Sequence, residues 1–328
     1  MSKNLSGAVR INDIDIKPAH RFWYEIVKNR ALFLMLLPGF LVLLFNNYLP
    51  MFGIIVAFKD FRFSDGSFFS SLFKSEWTGF GNFKYMFASP DAFVFIRNTL
   101  LYNLAFIISC TIIAIAFAIM LNEIYSRKLS KLYQSAMFLP YFLSWIVFSY
   151  LVYSFISPDK GYFNMTIFKF LGIKPVFWYS ELKYWPWIIL IVNAWHWVGN
   201  NCIIFLASII GIDQEMYEAA RIDGASRWQQ IINITLPQIT PVIIVMTLIF
   251  VGRIFNTDLG LFQLIPRGAG ALAPVTWTLD VYVYNTLLRN GDIGMSSAAA
   301  LFQSVVGFVT ILAANFAVKK IDKDAGMW

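Results

Sequence analysis

GIDQEMYEAARIDGASRWQQIINITLP, residues 211–237, is the only long polar stretch in the second half of the chain that sits directly between two strongly apolar segments. It reads as two short helices joined by a glycine. Asp213 can cap a helix over residues 214–223, because its carboxylate can accept from the free amides of the first turn. Gly224 follows at the position where a helix end needs a positive φ. Ser226 opens a second helix, and Gln229, three residues on, completes a capping box. Trp228, Ile231, Ile232 and Thr235 then recur at i, i+3, i+4 and i+7, which makes this second helix amphipathic. Pro237 either stops it or begins a membrane helix. The stretch is expected to be a folded polar elbow hung between two spans.

Composition sets its surroundings. The 328 residues are 58% hydrophobic and 18% aromatic, with mean hydropathy +0.62, against roughly 45–50% apolar for an ordinary soluble domain. A helix needs about 20 apolar residues to cross a ~30 Å hydrocarbon core. Runs of that kind lie at 31–49, 99–121, 137–156, 186–210, 238–257 and 296–318. The expected fold class is therefore all-α, a polytopic membrane protein with six transmembrane helices. Residues 1–30 form a polar tail in which Phe22, Trp23, Ile26 and Val27 share one helical face beside Lys28 and Arg30, as in an interfacial helix on anionic membrane lipid. Residues 31–98 hold the first span and an outer loop broken by Gly66, Gly79, Gly81 and Pro90. Residues 99–318 form the core that contains the elbow, and 319–328 a tail with Lys319, Lys320 and Lys323.

Lys and Arg are denser in the two tails, in the connection bearing Arg127, Lys128 and Lys131, and in the elbow than in the longer loops of the other face. The positive-inside tendency puts both termini and the elbow in the cytoplasm. The net charge of +7 is then a membrane-edge distribution and not a nucleic-acid footprint. Cys110 and Cys202 both fall inside spans, so neither a disulfide framework nor a zinc site is expected. The first 30 residues lack the apolar segment of a cleavable signal peptide.

No G-x-x-x-x-G-K-[ST] occurs, so nothing in the chain cradles ATP phosphates. There is no H-E-x-x-H or G-x-S-x-G either, and His20 and His196 are the only histidines. The chain is read as non-catalytic, with no metal and no cofactor of its own. In the fourth span Asn193, His196, Trp197 and Asn200 fall at i, i+3, i+4 and i+7, with Asn201 beside them. Polar side chains at membrane depth face a bundle interior or a watery path. They are candidates for lining a substrate pathway, where amides, imidazole and aromatic faces suit hydroxyl-rich sugars. Interhelical hydrogen bonding, worth about 0.6 kcal/mol per contact, is the other reading. Arg253 lies near the outer end of the fifth span, with Asn256 at i+3, Thr257 at i+4 and Asp258 close behind. A charge at the bilayer centre costs at least ~2.5–3.5 kcal/mol, so a partner or water is required. Substrate contact and an Arg253–Asp258 pair both remain open. Trp178, Tyr179, Tyr184, Trp185 and Trp187 read by default as an aromatic belt at the headgroups. Asn164-Met165-Thr166 fits a glycosylation sequon, a pattern too common to carry weight alone. Residues 130–140, SKLYQSAMFLP, echo the elbow by placing a short amphipathic helix ahead of Leu-Pro and a span.

Glu218-Ala219-Ala220, three residues, Gly224, nine residues and Ile234-Thr235-Leu236-Pro237 match EAA-x3-G-x9-I-x-LP without a gap. This resembles the cytoplasmic coupling loop of permease subunits of ATP-binding-cassette (ABC) importers. Gly79-Phe80-Gly81-Asn82-Phe83 resembles a motif found ahead of their core domain. Tyr48-Leu49-Pro50-Met51-Phe52-Gly53, Ala57-Phe58-Lys59-Asp60-Phe61, Gly260-Leu261-Phe262, Pro266-Arg267 and Gly270-Ala271-Leu272 are similar to the branch that takes alginate and related oligosaccharides. The resemblance implies that Glu218 and its helix dock into a cleft of an ATPase subunit. Ala219 and Ala220 would allow close approach, Gly224 the sharp turn, and Arg221, Leu236 and Pro237 would complete the coupling element. It also implies a second permease forming a heterodimer, two ATP-binding subunits that hold the ATP, and an extracytoplasmic solute-binding protein, all at a bacterial plasma membrane. On the residues alone, Glu218 and Arg221 could instead form a solvated pair worth ~0.3 kcal/mol. The rival functions are a permease for another small solute and a secondary carrier or channel. An ion-coupled carrier often uses a membrane carboxylate, and no Asp or Glu lies deep in any of these runs.

Overall fold

The computed structural model describes residue 24 and residues 27–63 and 67–321. Phe22, Trp23 and Ile26 of the expected interfacial helix lie outside these residues, as do residues 322–328 of the tail. The described chain is helical apart from one short antiparallel ladder, β1 (Lys59–Asp60) against β2 (Glu76–Trp77). The principal helices are α1 (Arg30–Phe58), α2 (Gly81–Ala88), α3 (Ala92–Asn122), α4 (Arg127–Phe142), α5 (Trp145–Ile156), α6 (Trp185–Ile210), α7 (Gln214–Ile222), α8 (Arg227–Gly252), α9 (Leu279–Leu288) and α10 (Ile293–Ile321). Five helices, α1, α3, α6, α8 and α10, are long and apolar enough to cross a bilayer. The pair α4 and α5, bent by 101°, brings the number to six where it is counted as one broken span.

Two compact units divide at Ile55/Val56. In the first, α1 carries a π turn at Leu44–Tyr48 just ahead of Pro50. All the remaining architecture lies in the second unit. There residues 57–59 are tied to α2 by Asn82, whose Nδ2 donates to the carbonyls of Ala57 (2.9 Å) and Lys59 (3.0 Å). The most extensive helix packing is between α3 and α6. Ala114 and Ala118, both fully buried, let α3 approach Cys202 and Phe205 of α6 within one apolar cluster. A second cluster gathers Phe148, Trp185, Ile189, Leu261 and Phe262 beside it.

Two Leu-Pro steps behave differently. At Pro237 the helix does not stop, because a π turn over Ile231–Thr235 carries the elbow helix straight into the span. Pro237 has no N–H to return to the preceding turn, and the wider turn absorbs the missing bond and the ring clash. The same turn rotates the helix. Gln230, Thr235 and Ile239 are buried, while Trp228 is 74% and Ile232 57% exposed. Of the stripe Trp228–Ile231–Ile232–Thr235 expected from unbroken helical periodicity, Thr235 alone is buried. At Pro140 the chain instead tightens into a 3-10 turn, Leu139–Phe142. Leu143 is extended, and Ser144 Oγ accepts from Val147 N (3.4 Å) as the N-cap of a new helix. The third span, expected as one run over 137–156, is therefore broken.

The end of α4 also presses on α6. A methyl group at Gly199 would overlap the Met137 carbonyl, so only glycine allows this crossing. Gly199→Ala is expected to destabilise the protein by about 1–3 kcal/mol through overpacking. The expected readout is a lower thermal-unfolding midpoint in detergent. Gly270→Ala, whose new methyl would meet nothing within 4 Å, should leave the midpoint unchanged. Equal midpoints for Gly199→Ala and the natural protein would contradict the crossing.

Candidate functional site

The fifth span ends earlier than its composition suggests. Helix α8 stops at Gly252, and residues 253–258 run as turns and irregular chain. Arg253, Asn256 and Thr257 therefore do not share a helix face. Leaving the helix at membrane depth strands peptide groups, each costing several kcal/mol in hydrocarbon unless paired. Side chains from three other elements meet that need. Asn103 Nδ2 of α3 donates to the carbonyls of Ile254 (2.8 Å) and Asn256 (3.1 Å). Gln303 Nε2 of α10 donates to the Phe255 carbonyl (2.8 Å). Thr257 donates to Asp280 Oδ2 of α9 through its N–H (2.6 Å) and its hydroxyl (2.8 Å). Asp258 closes the segment, accepting at Oδ2 from Trp145 Nε1 (2.6 Å) and at Oδ1 from Gly260 N (2.9 Å).

This segment forms one wall of a cavity of about 330 Å³. Helix α3 contributes Asn103, Phe106 and Cys110, and α6 contributes Asn193, Trp197 and Asn201. Phe250, Arg253, Asn256 and Asp258 face them. Of the residues singled out from the sequence, Asn193, Trp197, Arg253 and Asn256 come together here. His196 and Asn200 do not. On α6 the lining stripe is 193, 197, 201, and positions 196 and 200 fall on the neighbouring stripe. His196 is 5% exposed and stacks on the Trp145 indole (centroids 4.3 Å apart) with Phe148 edge-on at 5.4 Å. It braces the tryptophan that holds Asp258. Asn200 Nδ2 donates to Asn201 Oδ1 (3.5 Å), and Asn193 Nδ2 donates to Cys110 Sγ (3.4 Å).

Arg253 and Asp258 form no ion pair within 4.0 Å; the carboxylate accepts instead from Trp145 and Gly260. Among the described residues the exposed Arg253 guanidinium has no hydrogen-bond or ion-pair partner. The cavity thus offers one free cation, four side-chain amides and three aromatic rings, the mixture suited to a polar ligand with hydroxyl groups and an anionic substituent. The sequence reading passed over Asn103, Gln303 and Asp280, which hold the wall. The signal for the first two was available: each is an amide within a long apolar helix.

The elbow is built largely as its local chemistry dictates. Asp213 Oδ1 accepts from Glu215 N (3.0 Å), Gly224 has φ +79°, and the Ser226–Gln229 capping box is reciprocal. A hydrogen bond between Tyr217 Oη and Thr235 Oγ1 (2.9 Å) ties its two arms together. Buried Gln230 donates through Nε2 to the Ala225 carbonyl (3.0 Å). Arg221 Nε donates to the Tyr217 carbonyl (3.2 Å) and does not pair with Glu218. Glu218 and Ala219 are exposed, as is Pro237; Ala220 and Leu236 are half-buried. Glu215, Ile222 (86%) and Trp228 of the same elbow are exposed too. Acidic and large apolar side chains together are left uncovered by this chain. From the elbow α8 runs unbroken for 26 residues, about 39 Å at ~1.5 Å per residue, and ends at the cavity wall.

The aromatic group at the start of α6 is not a headgroup belt. Trp185 is fully buried and its Nε1 donates to the Trp178 carbonyl (2.7 Å), while Trp178 and Tyr179 pack against the same core. Of the five rings, Trp187 is the one that stands open. Burial pushes the Tyr179 hydroxyl up to about 12 against the opposing pull of Arg267. Arg267 itself lies over Tyr153, 4.3 Å from the ring centre. Asn164 is a buried loop clamp, donating to the Pro158 and Val176 carbonyls and accepting from Val176 N.

Comparison with known proteins places this geometry. Protein LplB of Bacillus subtilis (strain 168) is 34% identical over 303 residues, 92% of this chain and 93% of LplB. The polygalacturonan/rhamnogalacturonan transport system permease protein YteP of the same organism is 33% identical over 307 residues, 93% of this chain and 92% of YteP. The crystal structure of a bacterial ABC transporter involved in the import of the acidic polysaccharide alginate contains a chain similar to this one, with a TM-score of 0.82 at 30% identity over 92% of this chain and 99% of that one. Residues 110–323, which hold the elbow and most of the cavity wall, match the model for binding-protein-dependent transport system inner membrane components. The chain belongs to that family.

Proposed function

We propose that this chain is the permease subunit of an ATP-driven importer and that it passes a uronate-bearing oligosaccharide across the membrane at Arg253. The observation that carries the proposal is an unpaired guanidinium in an amide- and aromatic-lined cavity, at one end of the helix whose other end is the elbow. A sugar carboxylate would pair with Arg253 through charge-assisted hydrogen bonds. The ring hydroxyls would meet Asn103, Asn193, Asn201 and Asn256, and the ring faces Trp197. The names of YteP and of the alginate importer, both tied to acidic polysaccharides, support this choice of substrate.

The elbow, with Glu218 and Ala219 uncovered, is the surface on which an ATP-binding subunit would dock. ATP would be held there and not in this chain, which acts as a transport subunit without its own ATPase site. In this reading the assembly holds a second permease as heterodimer partner, two ATP-binding subunits and an extracytoplasmic solute-binding protein, in a bacterial plasma membrane with both termini of this chain cytoplasmic. Closure of the ATP-binding subunits would draw on α7 and α8 and switch the cavity between outward and inward access. For that to happen ATP must favour one state through contacts absent in the other.

In proteoliposomes of the complete complex, Arg253→Gln should lower digalacturonate uptake about 10- to 100-fold, the loss of about 1.5–3 kcal/mol of charged hydrogen bonding. Uptake of neutral digalactose should not fall in parallel, and an equal loss for both sugars contradicts the role given to Arg253. Glu218→Lys should abolish uptake while the chain still inserts in the membrane. Unchanged uptake in that variant counts against docking at the elbow.

A further inference from the structure

A second polar cavity, of about 400 Å³, lies among α2, the start of α3 and α9. It shares no lining residue with the first. The elbow joins the fourth and fifth spans and α9 lies between the fifth and sixth, so this cavity opens on the membrane face opposite the elbow. Three of its polar groups are unspent. Asn285 Oδ1 is buried with no hydrogen-bond partner. Asp91 and Arg289 both line the space yet form no ion pair with each other within 4.0 Å, and neither charged group has another partner among the described residues. Tyr85, 69% exposed, and Trp277 add aromatic faces.

We infer that this cavity is a separate binding site for a short saccharide of one or two residues. Its volume falls in the range of small-ligand pockets, about 300–1,000 Å³. A carboxylate or hydroxyl can take the Arg289 guanidinium, sugar hydroxyls can donate to Asp91 and Asn285, and a ring can lie on Tyr85 or Trp277. An acyl chain is disfavoured, because it would leave these groups desolvated and unpaired. Helix α9 also connects the two cavities: its first turn supplies Asp280, which holds Thr257 in the wall of the first, and its last turn supplies Asn285 and Thr286 to the second, with Arg289 as its C-cap. The site stands beside the route a sugar would follow into the first cavity, and in that respect it rests on the transport reading above.

The test is photoaffinity labelling of the complete reconstituted complex with a diazirine-bearing digalacturonate, mapped by peptide mass spectrometry. The expected result is label on residues 85–91 and 277–295 as well as in the first cavity, displaced by free digalacturonate. Arg289→Gln, on an exposed side chain that makes no contact holding the fold, should cut the outer label about tenfold, the loss of one charged hydrogen bond, and spare the inner label. Arg253→Gln should do the reverse. Label confined to the first cavity while digalacturonate uptake proceeds overturns the second site and leaves the transport reading standing. Absence of both uptake and specific label anywhere overturns the two together.

Discussion

Peptide groups cannot be left unpaired in a bilayer, and residues 253–258 meet that rule without being a helix. Their carbonyls and amides are taken up by Asn103, Gln303 and Asp280, three side chains that project from α3, α10 and α9. Each is a buried or half-buried polar group whose own desolvation these bonds help to offset. The result is a wall of irregular backbone beside a polar cavity, the one setting in which such backbone is tolerated at membrane depth. Asp258 is drawn into the same arrangement by Trp145 and Gly260, while the Arg253 guanidinium has no partner among the described residues.

The elbow and the cavity are joined by the same economy of backbone bonding. The π turn at Ile231–Thr235 lets α8 pass through Pro237 without a break, so the arm that follows Gly224 and the span that ends at Arg253 are one rod. Tyr217 and Thr235 fasten the other arm to it. The Arg227–Glu123 ion pair (3.4 Å) adds a contact to the end of α3, though as an exposed pair it adds little energy. In the transport mechanism proposed here, a push on the exposed elbow reaches the cavity wall as displacement of a stiff element.

What could be read from the sequence was local. Asp213, Gly224, Ser226 and Gln229 act within four residues of themselves, so their spacing determined the elbow. Long apolar runs likewise located the spans, because a ~30 Å hydrocarbon core is a coarse requirement. The failures are tertiary. Leu-Pro occurs at 139–140 and 236–237, yet one breaks its helix and the other does not. The difference lies in the Ser144 cap after the first and the π turn before the second, and a motif of two residues contains neither. On α6, helical spacing identified a polar side but could not set its rotation by half a turn of stripe; packing of His196 on Trp145 sets it, placing 193, 197 and 201 toward the cavity. Trp185 looked interfacial by position and is buried because its indole N–H finds the Trp178 carbonyl.

The most direct test of the rod is a distance. Spin labels at Trp228→Cys and Ile249→Cys, both exposed positions on α8, should lie about 31 Å apart by helical rise over 21 residues at ~1.5 Å each, with buried Cys110 and Cys202 left unlabelled. In the complete complex, electron–electron double resonance should give the same Trp228–Ile249 distance without nucleotide and with ATP trapped. A second pair, exposed Leu104 on α3 with Ile249, should change between the two states. A Trp228–Ile249 distance that shortens or broadens with ATP, while Leu104–Ile249 stays fixed, would contradict the account.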